Sequence, residues 1–371
     1  MTKQRQTSQP KRNVVRLLPM VAFAALTFLG TQQFAHAQTI NVVASTVPSN
    51  GDVNPYGIVS IPKTIGALVA GNILVSNFNN SANLQGTGTT IVQIAPTGTM
   101  SLFAAIDANS LPGACPGGVG LTTALAVLRS GWVIVGSLPT SDGTSATAQA
   151  GCLIVLDSNG KVAETFSDSL INGPWDMTAS DSGRSAVLFV TNVLNGTVAG
   201  GGKVVRGGTV IRLNLSIPNG SMPVLQAITT IASGYVQRTD PGALVIGPTG
   251  LALSKDGSTL YVADSLVNQI RAISDPLSRV STGHIGTLFS GGGSLKDPLG
   301  LALALNGDLL AVNGTNGYLT EITPAGQQVL KTLLDDSGTP PGTGALFGLV
   351  DVKGHGIYYV DDATNTLNLF Q

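Results

Sequence analysis

The chain has 371 residues, a formal net charge of −1, only 11% charged residues and 47 glycines. So little charge with so much glycine suits many short strands and tight turns, and no stretch beyond the N-terminus carries a long 3.6-residue apolar period. The absence of a basic excess argues against nucleic acid or an anionic membrane surface as the partner.

Basic residues come first (Lys3, Arg5, Lys11, Arg12, Arg16), followed by the uncharged run 17–30 and the small-x-small site Ala35-His36-Ala37. That order is a secretory signal peptide over 1–37 with cleavage after Ala37. The apolar run is shorter than the roughly 18–20 residues a span needs, so cleavage is expected rather than an anchor. Lys11-Arg12 is no twin-arginine pair, and no cysteine follows to take a lipid. Cleavage removes all five basic residues named and no acidic one, leaving an acidic chain. The expectation is a soluble monomer, periplasmic or extracellular, with no membrane span in the mature chain.

A strand unit then recurs. Strands that read as the second of a hairpin occupy 73–77, 133–137, 188–192, 260–264, 309–313 and 357–361. Each follows an apolar first strand near Gly57, Ala124, Asp176, Gly250, Gly300 or Gly348, across a turn that usually carries glycine. The clearest copy is 247–273, GPTGLALSKDGSTLYVADSLVNQIRAI. There Asp256-Gly257 predicts a type I′ turn with positive φ at both residues. Third and fourth strands follow in most copies, joined by turns such as Thr97-Gly98 and Asn159-Gly160. Four strands per unit of about 50 residues predict an all-β, six-bladed β-propeller. A parallel β-helix would have shorter coils and no regular hairpins. The last copy supplies three strands, and 39–44 (TINVVA) supplies its fourth, which closes the ring and leaves no open edge. One domain, 38–371, follows.

The copies around Gly250 and Gly300 resemble NHL repeats, and more broadly the six-bladed group of regucalcin, gluconolactonase-type lactonases and streptogramin lyases. The resemblance implies the fold, and much less about activity. In the lactonases the aspartate of Y-V-A-D is a metal ligand and catalytic base, and Asp264 matches it. The family's Asn before the glycine of the preceding strand is Thr249 here, and its first-blade Glu has no counterpart at Tyr56-Gly57. Asp176 and Asn192 would have to complete a metal site with Asp264, for a divalent cation such as Ca²⁺.

Topology sorts the remaining residues by face. Asn77, Ser137, Asn192, Asp264, Asn313 and Asp361 end the second strands and rim the upper face. They are either a ring of oxygen donors for a hard cation or Asx side chains bonding nearby turn backbone. Tyr56, Trp175 and Phe347 stand at the heads of first strands, either as an aromatic platform at the channel mouth or as packing between blades. His284 and His355 map to the lower face, away from Asp264 and Asp176, so a Ser-His-Asp or His₃ arrangement is not supported. Cys115 and Cys152 both project to the upper face, and in an exported chain they predict a disulfide.

Long upper-face loops are expected at 78–90, 138–151 and 194–208, on blades one to three only. The glycine run 200–208 lacks the order of a phosphate loop. The expected function is an exported binding or interaction module. Its upper face would meet a protein, glycan or small molecule through residues such as Tyr56, Asn77, Trp175, Asn313, Phe347 and Asp361, with no certain cofactor. The alternative is a divalent-cation-dependent lactonase or esterase with Asp264 as base.

Overall fold

The computed structural model describes residues 1, 2, 9, 38–280 and 283–371. Apart from Met1, Thr2 and Gln9, the expected signal peptide and its cleavage site lie outside the described residues. From Gln38 to Gln371 the chain forms one compact unit.

Six antiparallel sheets make up this unit. Their first strands are Val53–Ser60, Leu121–Val127, Pro174–Asp181, Pro248–Leu253, Pro298–Leu303 and Leu346–Val352. Each pairs on one side only, with the following strand. Successive first strands touch one another, and the sixth touches the first, which closes a ring around an axial channel. The fold is therefore a six-bladed β-propeller. All six second strands lie where the repeat places them: Ile73–Asn79, Val133–Ser137, Ser185–Asn192, Thr259–Asp264, Leu309–Asn313 and Gly356–Asp361. The strand Ile40–Ser45 runs antiparallel to Thr366–Phe370, from Ile40 opposite Phe370 to Ser45 opposite Thr366, and is the outermost strand of blade six.

One irregularity repeats in every blade. Near its upper end each first strand slips register against the second, between Pro55 and Gly57, Leu121 and Leu125, Pro174 and Met177, Pro248 and Leu251, Pro298 and Leu301, and Leu346 and Leu349. A bulge re-aims side chains at the rim of a sheet. The residues it places on the ring are Gly57, Thr123, Asp176, Gly250, Gly300 and Gly348. A Cβ on Gly250 would run into the Leu299 carbonyl oxygen, one on Gly300 into that of Phe347, and one on Gly348 into that of Tyr56. Glycine lets neighbouring blades approach at this level. Blades two and three lack the glycine and use hydrogen bonds instead. Thr123 Oγ1 donates to the Trp175 carbonyl at 2.6 Å, and Asp176 Oδ2 accepts from the Leu251 amide at 2.8 Å.

Two local expectations change. At the 254–259 turn only Gly257 has positive φ, 73°. The Asp256 carboxylate instead accepts from Ser254 Oγ, Ser258 N and Ser258 Oγ at 2.6–3.0 Å, and this side-chain turn makes a second left-handed residue unnecessary. In blade three the loop expected to run to 208 ends earlier, because Val205–Ser216 pairs with the 17-residue strand Val224–Asp240. That long strand overshoots the blade, turns, and pairs with Leu244–Ile246, making an arm.

Cys115 and Cys152 are bonded, 37 residues apart, and Cys152 is buried in the apolar layer between blades one and two. Closing a loop of that size contributes about 3–4 kcal/mol in the chain-entropy treatment. Among the described residues no helix is long and apolar enough to cross a membrane.

The ring contact has a direct test. Gly300→Ala is expected to lower stability by about 1–3 kcal/mol, because the new methyl must displace backbone rather than a flexible side chain. Urea unfolding reads this as a lowered midpoint; an unchanged midpoint would contradict the close-approach account.

Candidate functional site

The six residues expected to end the second strands are buried, Asn77 two residues before the end of its strand and the others at the last position, and most serve as internal staples. Asn77 Nδ2 donates to the Thr46 carbonyl at 3.0 Å, and Ser137 Oγ to that of Gly118 at 2.8 Å. Asn192 Oδ1 accepts from Asn172 N at 2.9 Å, and Asn313 bonds both Lys296 N and the Ser294 carbonyl. In each of these four blades the side chain ties the strand end to the connection that enters the same blade. Asp361 accepts from Thr364 N in its own turn, at 3.2 Å.

The three residues that the lactonase resemblance marks line different places. Asp264 faces the cleft between blades three and four, in a cavity of about 170 Å³ with Arg206, Gly234, Gln269 and Arg271. Its Oδ2 lies 3.6 Å from Arg271 Nε. Burial pushes its carboxyl up to about 6, against the pull of Arg271. Asp176 instead lines the axial channel, a cavity of about 320 Å³. Burial raises it to about 7, against the Leu251 and Met177 amides. Asn192 is held by Asn172. Among the described residues no three His, Cys, Asp or Glu side chains gather as a metal cage. The donor set does not fit the metal site that the fold group implies. His355 sits in the hairpin turn between the first and second strands of blade six.

The upper end of the axis is closed by apolar side chains. Tyr56 stacks on Phe347 with ring centroids 3.9 Å apart, lies 4.4 Å from Phe78, and meets Trp175 at 5.6 Å. Tyr56 and Trp175 belong to blades one and three, which are not neighbours, so they meet over the axis. Leu299 of blade five and Leu244 and Val245 of the arm complete the cluster. Leu244 is buried there with φ 59°, a conformation that costs a non-glycine residue about 1–2 kcal/mol and persists where packing imposes it.

On this plug rests a cavity of about 180 Å³. Asn54, Asn79 and Gln85 line it from blade one, Asp297 from blade five, Asp362 from blade six, and Gly242, Ala243, Val245 and Ile246 of the arm form its side. Four of the residues lining it carry a buried side-chain oxygen without a hydrogen-bond partner: Asn54 Oδ1, Asn79 Oδ1, Gln85 Oε1 and Asp297 Oδ1. Two of the amides are oriented by their nitrogens. Asn79 Nδ2 donates to Asn83 Oδ1 at 2.7 Å, and Gln85 Nε2 to the Gly242 carbonyl at 3.3 Å. Burial first, then Asp240, pushes the Asp297 carboxyl up to about 6, against Arg238. Burial and the neighbouring Asp361 carry Asp362 to about 7, and burial together with Asp362 drives the Tyr56 phenol well above its ordinary range.

Of the residues that sequence reasoning placed on the upper face, Tyr56, Trp175 and Phe347 line this cavity, whereas Asn77, Asn313 and Asp361 stand behind it as staples. Sequence reasoning missed Asn54, Asn79, Gln85, Asp297 and Asp362. A signal was present for two of them. Asn54-Pro55 and Asp297-Pro298 stand where blades three and four have Gly-Pro, and both Asx residues take positive φ, 61° and 52°.

No protein-family model matches the sequence, and no curated protein matches it. Solved structures do match in fold. A gluconolactonase from Xanthomonas campestris aligns over 90% of this chain and 89% of its own, at 14% identity and a TM-score of 0.54. The calcium-binding protein regucalcin from Agrobacterium tumefaciens aligns over 88% and 92%, also at 14% and 0.54. A virginiamycin B lyase from Staphylococcus aureus aligns over 90% and 99%, at 13% and 0.50. At such identities the likeness establishes the six-bladed fold and nothing finer.

Asp176, Asp264, Asp297, Asp361 and Asp362 are all raised in the folded chain. A carboxyl raised by folding binds more protons folded than unfolded, so stability is greatest below its unfolded value and falls as pH rises through its folded one. Melting temperature is therefore expected to drop between about pH 4 and pH 8. Asp362→Asn, which removes one buried charge, should melt above the parent at pH 8 and lose that advantage in acid. A variant that melts at or below the parent at pH 8 would refute this.

Proposed function

We propose that the protein is an exported binding module whose site is the upper-face cavity between the arm and blades one, five and six. The observation that carries the reading is a concavity whose lining includes four residues with buried, unpartnered oxygens. An unpartnered buried polar group costs about 1–3 kcal/mol, so four gathered in the lining of one concavity mark it as the functional cleft. Functional clefts concentrate such departures from local optimality. The concavity suits a small molecule or the end of a chain better than a flat protein surface. The disulfide and the N-terminal basic-apolar order support export to the periplasm or medium.

Metal-dependent lactone hydrolysis draws support from the fold alone. Asp264, which would be its base, faces Arg271 and Arg206 between blades rather than the upper cavity.

Ala243, on the arm, lines the cavity and is half-buried. Ala243→Trp is expected to fill the cavity while leaving the six sheets intact. A fragment screen by ligand-observed NMR should yield binders to the parent protein that no longer bind the variant. Binders indifferent to the substitution would place the site elsewhere.

A further inference from the structure

Export, with the cleavage after Ala37 that the small-x-small site predicts, gives the chain a new end at Gln38. Resting on that reading, we infer that Gln38 is a modification site: it cyclises to a pyroglutamyl residue, and this block protects the strand that closes the propeller ring from exopeptidases.

The chemistry needs nothing beyond the residue itself. Cleavage leaves a glutamine with a free α-amine, whose pKa of about 8 keeps part of it neutral and nucleophilic near neutral pH. The amine attacks Cδ of its own side chain. The new N–Cδ bond closes a lactam, the Cδ–Nε2 bond breaks, and the amide nitrogen leaves as ammonia with the proton given up by the amine. No oxidant, reductant or co-reactant is consumed. Because the ammonia escapes, the step runs in one direction.

The fold leaves Gln38 free to react. Pairing of the closing strand begins one residue later, where Thr39 N donates to the Gln371 carbonyl at 2.9 Å and Gln371 N to that of Thr39 at 3.0 Å. Gln38 is exposed, and its side chain has no hydrogen-bond partner among the described residues. Every atom of the lactam ring belongs to Gln38, so closure disturbs no bond of the ladder. The surroundings also suit the product. Gln38 lines a groove of about 350 Å³ between blades five and six, beside Leu305, Leu330, Ile357 and Phe370. Cyclisation turns a cation into a neutral ring, which meets such apolar neighbours at less cost than an ammonium. The groove's carboxylates are already engaged, Glu321 with Asn306 Nδ2 at 3.1 Å and Asp351 with the Leu305 amide at 2.8 Å.

The closing strand is what the block protects. Ile40–Ser45 is the outermost strand of blade six and pairs on one side only, with Thr366–Phe370. Ile40, Asn41 and Val42 are all exposed. Proteolysis concentrates at chain ends held by few contacts. An exopeptidase working inward from a free amine at Gln38 would shorten this strand, uncover the Thr366–Phe370 edge and undo the closure of the ring. A lactam offers such an enzyme no amine.

The test is peptide mass mapping of the exported protein, expressed as the full chain in a secreting host and recovered near neutral pH. A synthetic peptide of residues 38–45, carried through the same digestion, measures cyclisation caused by handling. The expected N-terminal peptide begins at Gln38 and is lighter by one ammonia, while the synthetic peptide keeps its amine. Gln38→Glu, whose carboxylate cyclises far more slowly, is expected to keep a free amine. An aminopeptidase that leaves the parent intact then trims the variant's closing strand, and the trimmed protein melts at a lower temperature. A free amine on Gln38 in the parent, or cyclisation no greater than in the synthetic peptide, would overturn the modification. A Gln38→Glu variant that resists trimming as well as the parent would overturn the protective role. A chain that begins at a residue beyond the apolar run other than Gln38 would overturn the modification and leave export standing, whereas a chain that keeps residues 1–37 would overturn export as well.

Discussion

The structure depends on the contact between successive first strands around the axis. A four-stranded blade has two faces, and each is buried only by the next blade, so the ring must close tightly for any blade to be stable. Gly250, Gly300 and Gly348 permit that approach by presenting no Cβ to the carbonyl of the neighbouring blade. In blades two and three Thr123 and Asp176 convert the same approach into hydrogen bonds. Asp176 is thus explained by its place in the ring, and its channel-lining carboxylate needs no metal to account for it.

The bulge that sets this ring also shapes the upper face. By slipping register at the head of every first strand, it aims Tyr56, Trp175, Leu299 and Phe347 inward at one level, where they meet and close the channel. The plug closes the axis from above, and the concavity forms on top of it. Its walls come from what the blades do not share: the arm of blade three, the 78–90 loop of blade one, and the Asx residues heading blades one and five. Common parts of the repeat build the scaffold, and the departures from it build the site.

The same division decides what could be read from the sequence. Strands with period-two apolar patterning, glycine turns and a repeat of the same hairpin locate all six second strands, because those signals are local. Asp264 shows the limit of a motif. The letters Y-V-A-D place it at a strand end but not which side of the blade it faces, and Arg271, on the neighbouring third strand Gln269–Ser274, draws it into the cleft between blades. The arm was invisible, because residues 224–246 look like ordinary strand and their fate depends on pairing with Val205–Ser216 and on burying Leu244 and Val245 against the distant Trp175. Asn54 and Asp297 become legible only when the blades are set in register, so that an Asx-Pro stands out against Gly-Pro. Asn79 and Gln85 carry no such mark; their role arises from three-dimensional proximity.

The central claim is that the concavity above the aromatic plug, walled by the arm and by blades one, five and six, is the place where the protein binds its ligand. A crystal structure of the protein soaked with fragments that ligand-observed NMR identifies as binders tests it most directly. The account predicts fragments seated in that concavity, between the arm and Asp297. Fragments bound instead in the axial channel or beside Asp264 would contradict it.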